Sequence, residues 1–113
     1  MHRVITAAEL PPSPWGTVTF EGANYGAEVS MFVMTTAPGN GPDLHVHPYS
    51  ETWTIRRGRA RFTADGEQFE VGPGDIVVAG AGVVHGFKSL GPDPLEIVCV
   101  HASPRIIQDW VER

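Results

Sequence analysis

Gly39-Asn40-Gly41-Pro42-Asp43-Leu44-His45-Val46-His47-Pro48-Tyr49-Ser50-Glu51-Thr52-Trp53-Thr54-Ile55-Arg56-Arg57-Gly58 is the stretch on which the fold of this chain turns. His45 and His47 are two apart, so on a strand both imidazoles leave the same face, whereas on a helix they diverge by about 200°. Only the strand reading lets them share a ligand. Glu51 has the same parity, but six residues of unbroken strand would carry it about 20 Å from His45. The chain must therefore turn back between them. Pro48-Tyr49-Ser50 suits that turn, because Pro48 has no N–H for a ladder. From Thr52 onward the alternation is clean. Thr52, Thr54 and Arg56 read as a wet face, and Trp53 and Ile55 as a buried one that shares its parity with Glu51.

Outward from this stretch, thirteen glycines and ten prolines punctuate short apolar or alternating runs, the pattern of many strands joined by turns. Strands are expected at Thr17 to Phe20, Glu28 to Thr36, Leu44 to His47, Glu51 to Arg56, Ala60 to Thr63, Gln68 to Val71, Ile76 to Ala79, Val83 to Lys88 and Leu95 to Val100. The fold class is all-β. The tail from Ser103 places Ser at an N-cap, Pro104 at the first helical position and Ile106, Ile107, Trp110 and Val111 on one stripe. That predicts a short C-terminal helix over the barrel, with Trp110 packing against it. Val29 to Met34 and Ile76 to Ala79 are apolar on both parities, and so small a domain has little chain left to cover a second face. A homodimer packed through one sheet is expected; the alternative is cover by the N-terminal segment or the tail.

The 113 residues match one domain, 1–113. Hydrophobic residues make up 42%, with no apolar run of membrane-spanning length. No membrane partner is expected. A net charge of −5 argues against nucleic acid. Arg56, Arg57, Arg59 and Arg61 form a local basic run, read as a solvated face in preference to an anion site. The N-terminus lacks an apolar core of signal-peptide length. Cys99 is the only cysteine, so no internal disulfide is available and a cytoplasmic location is expected. Its apolar surroundings predict an inert buried thiol.

His85 brings a third imidazole from a distant strand, after a Gly-rich turn. Three neutral imidazoles and one carboxylate suit one divalent transition metal ion, Fe, Mn, Ni, Co, Cu or Zn. Octahedral coordination would leave two positions for water, substrate or dioxygen. The alternative is a set of surface histidines with no ion.

The run Gly39, five residues, His45-Val46-His47, three residues, Glu51, six residues, Gly58 resembles the first motif of the cupin superfamily at every fixed position. Gly74-Asp75, with Gly82 and then His85 three residues on, is similar to the second, which extends to Ser89. The resemblance implies a small single-domain cupin β-barrel, a double-stranded β-helix or jelly roll, with His45, His47, Glu51 and His85 as metal ligands. Two positions depart from it. Gly80 stands where the second motif usually has Pro, and Ser89 where Asn usually follows, so a looser turn before His85 is expected.

Other candidates rest on weaker signals. His101 could point into the barrel as a proton shuttle, although a lone histidine there is more often a satisfied rim residue. Tyr49 and Tyr25 are similar candidates. Trp53, Ile55, Phe87 and Met34 are expected to line a substrate pocket; they would equally fill a core with no ligand. The resemblance spans dioxygenases, isomerases, cyclases, decarboxylases and proteins that only bind or sense a small molecule, and the fold does not choose among them. The leading expectation is a metal-dependent, dioxygenase-like oxidoreductase acting on a small organic molecule. The competing ones are a noncatalytic metal-assisted binding or sensing protein and a non-redox isomerase or cyclase.

Overall fold

A computed structural model describes residues 2–111. Its strands are β1 (Thr17–Phe20), β2 (Ser30–Thr36), β3 (His45–Val46), β4 (Glu51–Arg57), β5 (Ala60–Ala64), β6 (Glu67–Val71), β7 (Ile76–Ala79), β8 (His85–Ser89), β9 (Leu95–His101) and β10 (Asp109–Trp110). Among the described residues they form two five-stranded antiparallel sheets, in the orders β1-β2-β9-β4-β7 and β10-β3-β8-β5-β6. The sheets enclose a core that includes Trp53, Ile55, Phe62, Phe87, Leu95 and Ile97. This is the jelly-roll arrangement of a double-stranded β-helix. No helix among the described residues is long and apolar enough to cross a membrane.

Register converts the alternation in the sequence into two faces. In the first sheet, Phe32, Cys99, Trp53 and Val77 stand side by side across four strands, as do Ser30, His101, Glu51 and Ala79. Their burial places both rows inside. The intervening rows, Val18-Val33-Val98-Thr54-Ile76 and Phe20-Met31-Val100-Thr52-Val78, face outward. Val33, Ile76 and Val78 are exposed there. Arg57 pairs with Glu96 at 3.6 Å and Arg61 with Glu70 at 4.0 Å, both in solvent-exposed positions. That is the solvated-face arrangement.

Between His47 and Glu51 the chain does more than turn back. It leaves the second sheet after β3 and enters the first at β4, so the two histidines and the carboxylate face each other across the barrel. Gly58 closes this region with φ +79, and a Cβ there would stand 2.5 Å from the Pro94 carbonyl oxygen. Only glycine fits that approach.

The tail corrects the sequence reading. Ser103 to Val111 forms no helix; it is an extended strap ending in β10, which pairs with β3 through Asp109↔Val46 and Trp110↔His45. Glu112 and Arg113, the end of the expected helix, lie outside the described residues. Long-range hydrogen bonds claim the main-chain groups that a helix would have used. The Ile106 N–H donates to Glu21, the Ile107 N–H to Tyr49, and the Val111 N–H to the Leu44 carbonyl. Tertiary pairing outweighs a short amphipathic stripe, because an isolated helix of this length is marginal.

Candidate metal centre

His45 stands on β3, His47 just after it, Glu51 at the start of β4 and His85 at the start of β8. Cross-strand pairing sets His45 directly opposite His85. All four are buried, between 2% and 4% exposed, and each offers a ligand atom within 4.8 Å of the other three. Glu51 Oε1 lies 2.9 Å from His47 Nε2 and 3.2 Å from His85 Nε2.

Main-chain carbonyls fix which nitrogen of each ring points inward. His45 Nδ1 is 2.7 Å from the Asp43 oxygen, His47 Nδ1 2.7 Å from that of Ile107, and His85 Nδ1 2.9 Å from that of Val83. A carbonyl only accepts, so each Nδ1 carries the proton and donates it, and a neutral ring then presents a bare lone pair at Nε2. Three such lone pairs and a carboxylate converge in a dry place. Acceptors packed this closely repel unless a cation lies among them. The residues thus fit a divalent ion bound by imidazole nitrogen and carboxylate oxygen.

The ionisation behaviour agrees with this geometry. Burial, reinforced by the neighbouring His85 and His47 and only partly opposed by the Asp43 carbonyl and Glu51, drives His45 down to about 4, which keeps its lone pair free at neutral pH. Burial pushes Glu51 up, but contact with His47, His85 and His101 outweighs it and holds the carboxyl at about 2. Burial also works against His47, yet Glu51 and the Ile107 carbonyl raise it overall. In the absence of a metal, a proton on His47 can relieve the crowding.

His101 is not at the rim. It is completely buried beside Glu51, with Nε2 3.4 Å from Glu51 Oε2, and burial depresses its pKa. Its Nδ1 is 2.7 Å from the Tyr49 hydroxyl, which in turn accepts the Ile107 N–H at 3.2 Å. The Tyr49 hydroxyl is then free to donate to His101 Nδ1, which leaves the Nε2–H of His101 facing the second carboxylate oxygen of Glu51. Tyr25 lies apart from this network, stacked on Phe20 with centroids 5.2 Å apart. The turn before His85 is also tied to the site, through the Gly82 N–H and the His47 carbonyl at 2.9 Å. Gly80 in place of proline therefore leaves that turn anchored. The main chain of Ser89 bonds back to Asn40 and Gly39.

A cavity of about 170 Å³ opens beside His45 and Glu51, walled by Phe32, Met34, Trp53 and Phe87, with Cys99 and Gln108 also on its lining. Ile55 does not reach it. It packs beside Ile97 with no exposed surface, so its assignment to the pocket is corrected to the core. Cys99 is buried, its thiol pushed well up by burial and in contact with Met34 sulfur at 3.7 Å. Sequence reasoning missed the contributions of the strap, namely the Ile107 peptide, Gln108 and Trp110. A two-residue strand pairing leaves no periodicity to detect.

Comparison with known proteins places this geometry in a family. The cupin domain family matches residues 32–101. Mannose-1-phosphate guanylyltransferase ManC of Salmonella typhimurium is 27% identical over 114 aligned positions, covering all of this chain but 22% of that protein. The chain thus spans about a fifth of the length of that relative. A Klebsiella pneumoniae protein of unknown function with a double-stranded β-helix domain superimposes with a TM-score of 0.77 at 28% identity over the whole of both chains. Oxalate decarboxylase of Lactobacillus farciminis, in complex with formate, superimposes with a TM-score of 0.80 at 22% identity, over 92% of this chain and 34% of that one, a likeness of fold. With both motifs, the barrel and the family match in agreement, the chain belongs to the cupins.

Proposed function

We propose that this cupin is a metal-dependent enzyme that holds one divalent transition metal ion at His45, His47, Glu51 and His85 and acts on a small organic molecule, with dioxygenase-type oxidation as the leading reaction. The carrying observation is the buried convergence of three bare Nε2 atoms and a carboxylate, each ring locked by a carbonyl at Nδ1. A bound ion would supply a Lewis acid for a substrate oxygen and, if redox-active, a route for electrons to dioxygen. The chain's own residues do the rest. Asp43, Val83 and Ile107 carbonyls orient the rings, as hydrogen bonds to ligand histidines generally do. Tyr49 and His101 steady the far oxygen of Glu51. Phe32, Met34, Trp53 and Phe87 give the chamber apolar walls.

Purified without a histidine tag, the protein should carry close to one metal per chain, and His47→Ala should abolish it. Loaded with Fe(II) or Mn(II), it should consume dioxygen with a member of a panel of catechols, flavonols, β-diketones and oxalate. Inertness toward the whole panel together with tight ligand binding would favour the second reading, a noncatalytic binding or sensing protein. The observation behind that reading is that His101, the nearest titratable group beyond the ligands, is sealed from solvent. Anaerobic turnover would instead indicate a non-redox isomerase or cyclase.

The protein is further proposed to be a homodimer. The outward rows of β1, β2, β9, β4 and β7 present Val33 and Val98 on one side of Thr52 and Thr54 and Ile76 and Val78 on the other, a largely apolar face, with the Arg57–Glu96 pair at its border. A second copy meeting this face about a two-fold axis would bury the same residues on both partners. A single buried thiol suits a reducing compartment, and the cytoplasm is the proposed location.

A further inference from the structure

Beside the small chamber lies a second, larger cavity of about 540 Å³, flanked by Trp15, Trp110, Thr36 and Lys88. The two meet along Thr17, Met34 and Pro42, which line both. The inner chamber, at about 170 Å³, is smaller than the roughly 300–1,000 Å³ of sites that enclose a drug-sized ligand. The outer one falls within that range. A ligand's head fits the first and its body the second.

The walls indicate what that body is. Trp15 and Trp110 are 80% and 58% exposed, yet both border this one cavity. Large exposed indoles on the lining of one cavity provide flat faces on which an aromatic ring can stack. Lys88 borders the cavity too, but its ammonium is held by Asp43 Oδ1 at 2.9 Å and by the Gly41 carbonyl. It is therefore already engaged, which disfavours a phosphate-bearing body.

Polar atoms on the walls indicate where the ligand carries oxygen. Among the described residues, Thr36 Oγ1 is buried without a hydrogen-bond partner, and Trp53 Nε1 has none beyond the weakly accepting sulfur of Cys99. Thr36 is 4% and Trp53 1% exposed. Buried donors are normally satisfied. Trp53 belongs to the inner chamber and Thr36 to the outer, so a donor lies just beneath the wall at each of two depths, where a small side-chain shift would bring it to an acceptor on the ligand.

We infer that the site takes an elongated molecule with a chelating, oxygen-bearing head in the inner chamber next to His45, Glu51 and the Trp53 N–H, and a flat aromatic body along Trp15 and Trp110. This inference rests on the metal-site reading above, and deepens it by naming the class of ligand.

Zn(II), which is not redox-active, allows binding to be measured without turnover. The zinc-loaded protein is titrated by calorimetry with acetohydroxamic acid, which has the head alone, and with 2-naphthohydroxamic acid, which adds a flat aromatic body to the same head. The naphthyl compound should bind at least about tenfold tighter. Trp15→Ala, at an exposed position away from the metal ligands, should weaken it about three- to tenfold and leave acetohydroxamate within about twofold, and Trp110→Ala, whose ring also packs on His45, should weaken the naphthyl compound more than acetohydroxamate. Trp53→Phe, which keeps a ring and removes the N–H, should weaken both compounds alike.

Equal affinity for the two hydroxamates, or indifference of the naphthyl compound to both outer tryptophan variants, would overturn the two-chamber inference while leaving the metal site intact. Tighter binding of mannose 1-phosphate than of either hydroxamate would replace the aromatic body with a sugar phosphate. Failure of the protein to bind zinc at all would defeat both the metal reading and this one.

Discussion

The Nδ1–H of His47 donates to the main-chain carbonyl of Ile107 at 2.7 Å, joining the centre of the barrel to a strap 60 residues further along the chain. The same residue's N–H donates to Tyr49, whose hydroxyl meets His101. One residue of the strap thus supports His47 directly through its carbonyl and Glu51 through its N–H and two intermediaries.

Ile107→Pro removes that N–H but keeps the carbonyl. Zinc affinity, measured by competition with a fluorescent chelator, should fall about ten- to hundredfold, the usual scale for losing a group that orients a ligand. Ile107→Ala keeps the peptide and alters a side chain that is 47% exposed, so it should behave as wild type. Equal affinities for the proline and alanine variants would show that the Ile107 N–H has no part in ordering the site.

Tyr49→Phe deprives buried His101 Nδ1 of its partner. Leaving a buried polar atom unsatisfied costs about 1–3 kcal/mol, and calorimetry should show Tm lowered by several degrees. Metal affinity should fall as well, because Glu51 Oε2 loses an oriented neighbour. An unchanged Tm and an unchanged zinc affinity would refute the chain from Tyr49 through His101 to Glu51.

Protonation should govern the stability of chelator-treated protein. His45 is held near 4 when folded and titrates at 6.5 when unfolded. The unfolded chain therefore binds more protons between those values, and stability falls as pH drops from 6.5 to 4, by on the order of 3 kcal/mol at most. His47 acts in the opposite sense. Its raised pKa adds stability below 6.5 that is lost as pH rises through the folded value. Glu51, held at about 2, adds stability above 4.5 that is lost as pH falls toward 2. Urea midpoints against pH should show the net profile, and His45→Gln should flatten its 6.5 to 4 segment. An identical profile in that variant would rule out the assignment.

The outward face gives a separate test. Ile76 and Val78 are 67% and 66% exposed, so Ile76→Lys with Val78→Lys should leave the fold and zinc content unchanged while converting a dimer to a monomer in sedimentation velocity. A wild-type protein that sediments as a monomer would refute the dimer directly.

The nine strands from Thr17 to His101 were legible as short apolar or alternating runs punctuated by glycine and proline turns. The convergence of His45, His47 and Glu51 was legible for a related reason. Two histidines at strand spacing and a carboxylate of the same parity can meet only if the chain leaves the strand between them, and Pro48 marks the place. His85 needed more, since nothing local ties it to the others except the resemblance of its motif.

Tertiary structure decided the remainder. An apolar stripe in Ser103 to Val111 fits a helix locally, but the free energy of that segment lies in bonds to Glu21, Leu44, Tyr49 and His47, all far away in sequence. Ile55 and Trp53 share a parity, yet Trp53 borders the cavity while Ile55 is packed in the core with no exposed surface, a difference set by which distant side chains close over each of them. His101 likewise reads as a rim residue until β9 is paired with β4 opposite Glu51. Local sequence determined which way each side chain points from its own strand. Which distant group it meets there depended on cross-strand register and on the path of the strap, and those are properties of the closed barrel as a whole.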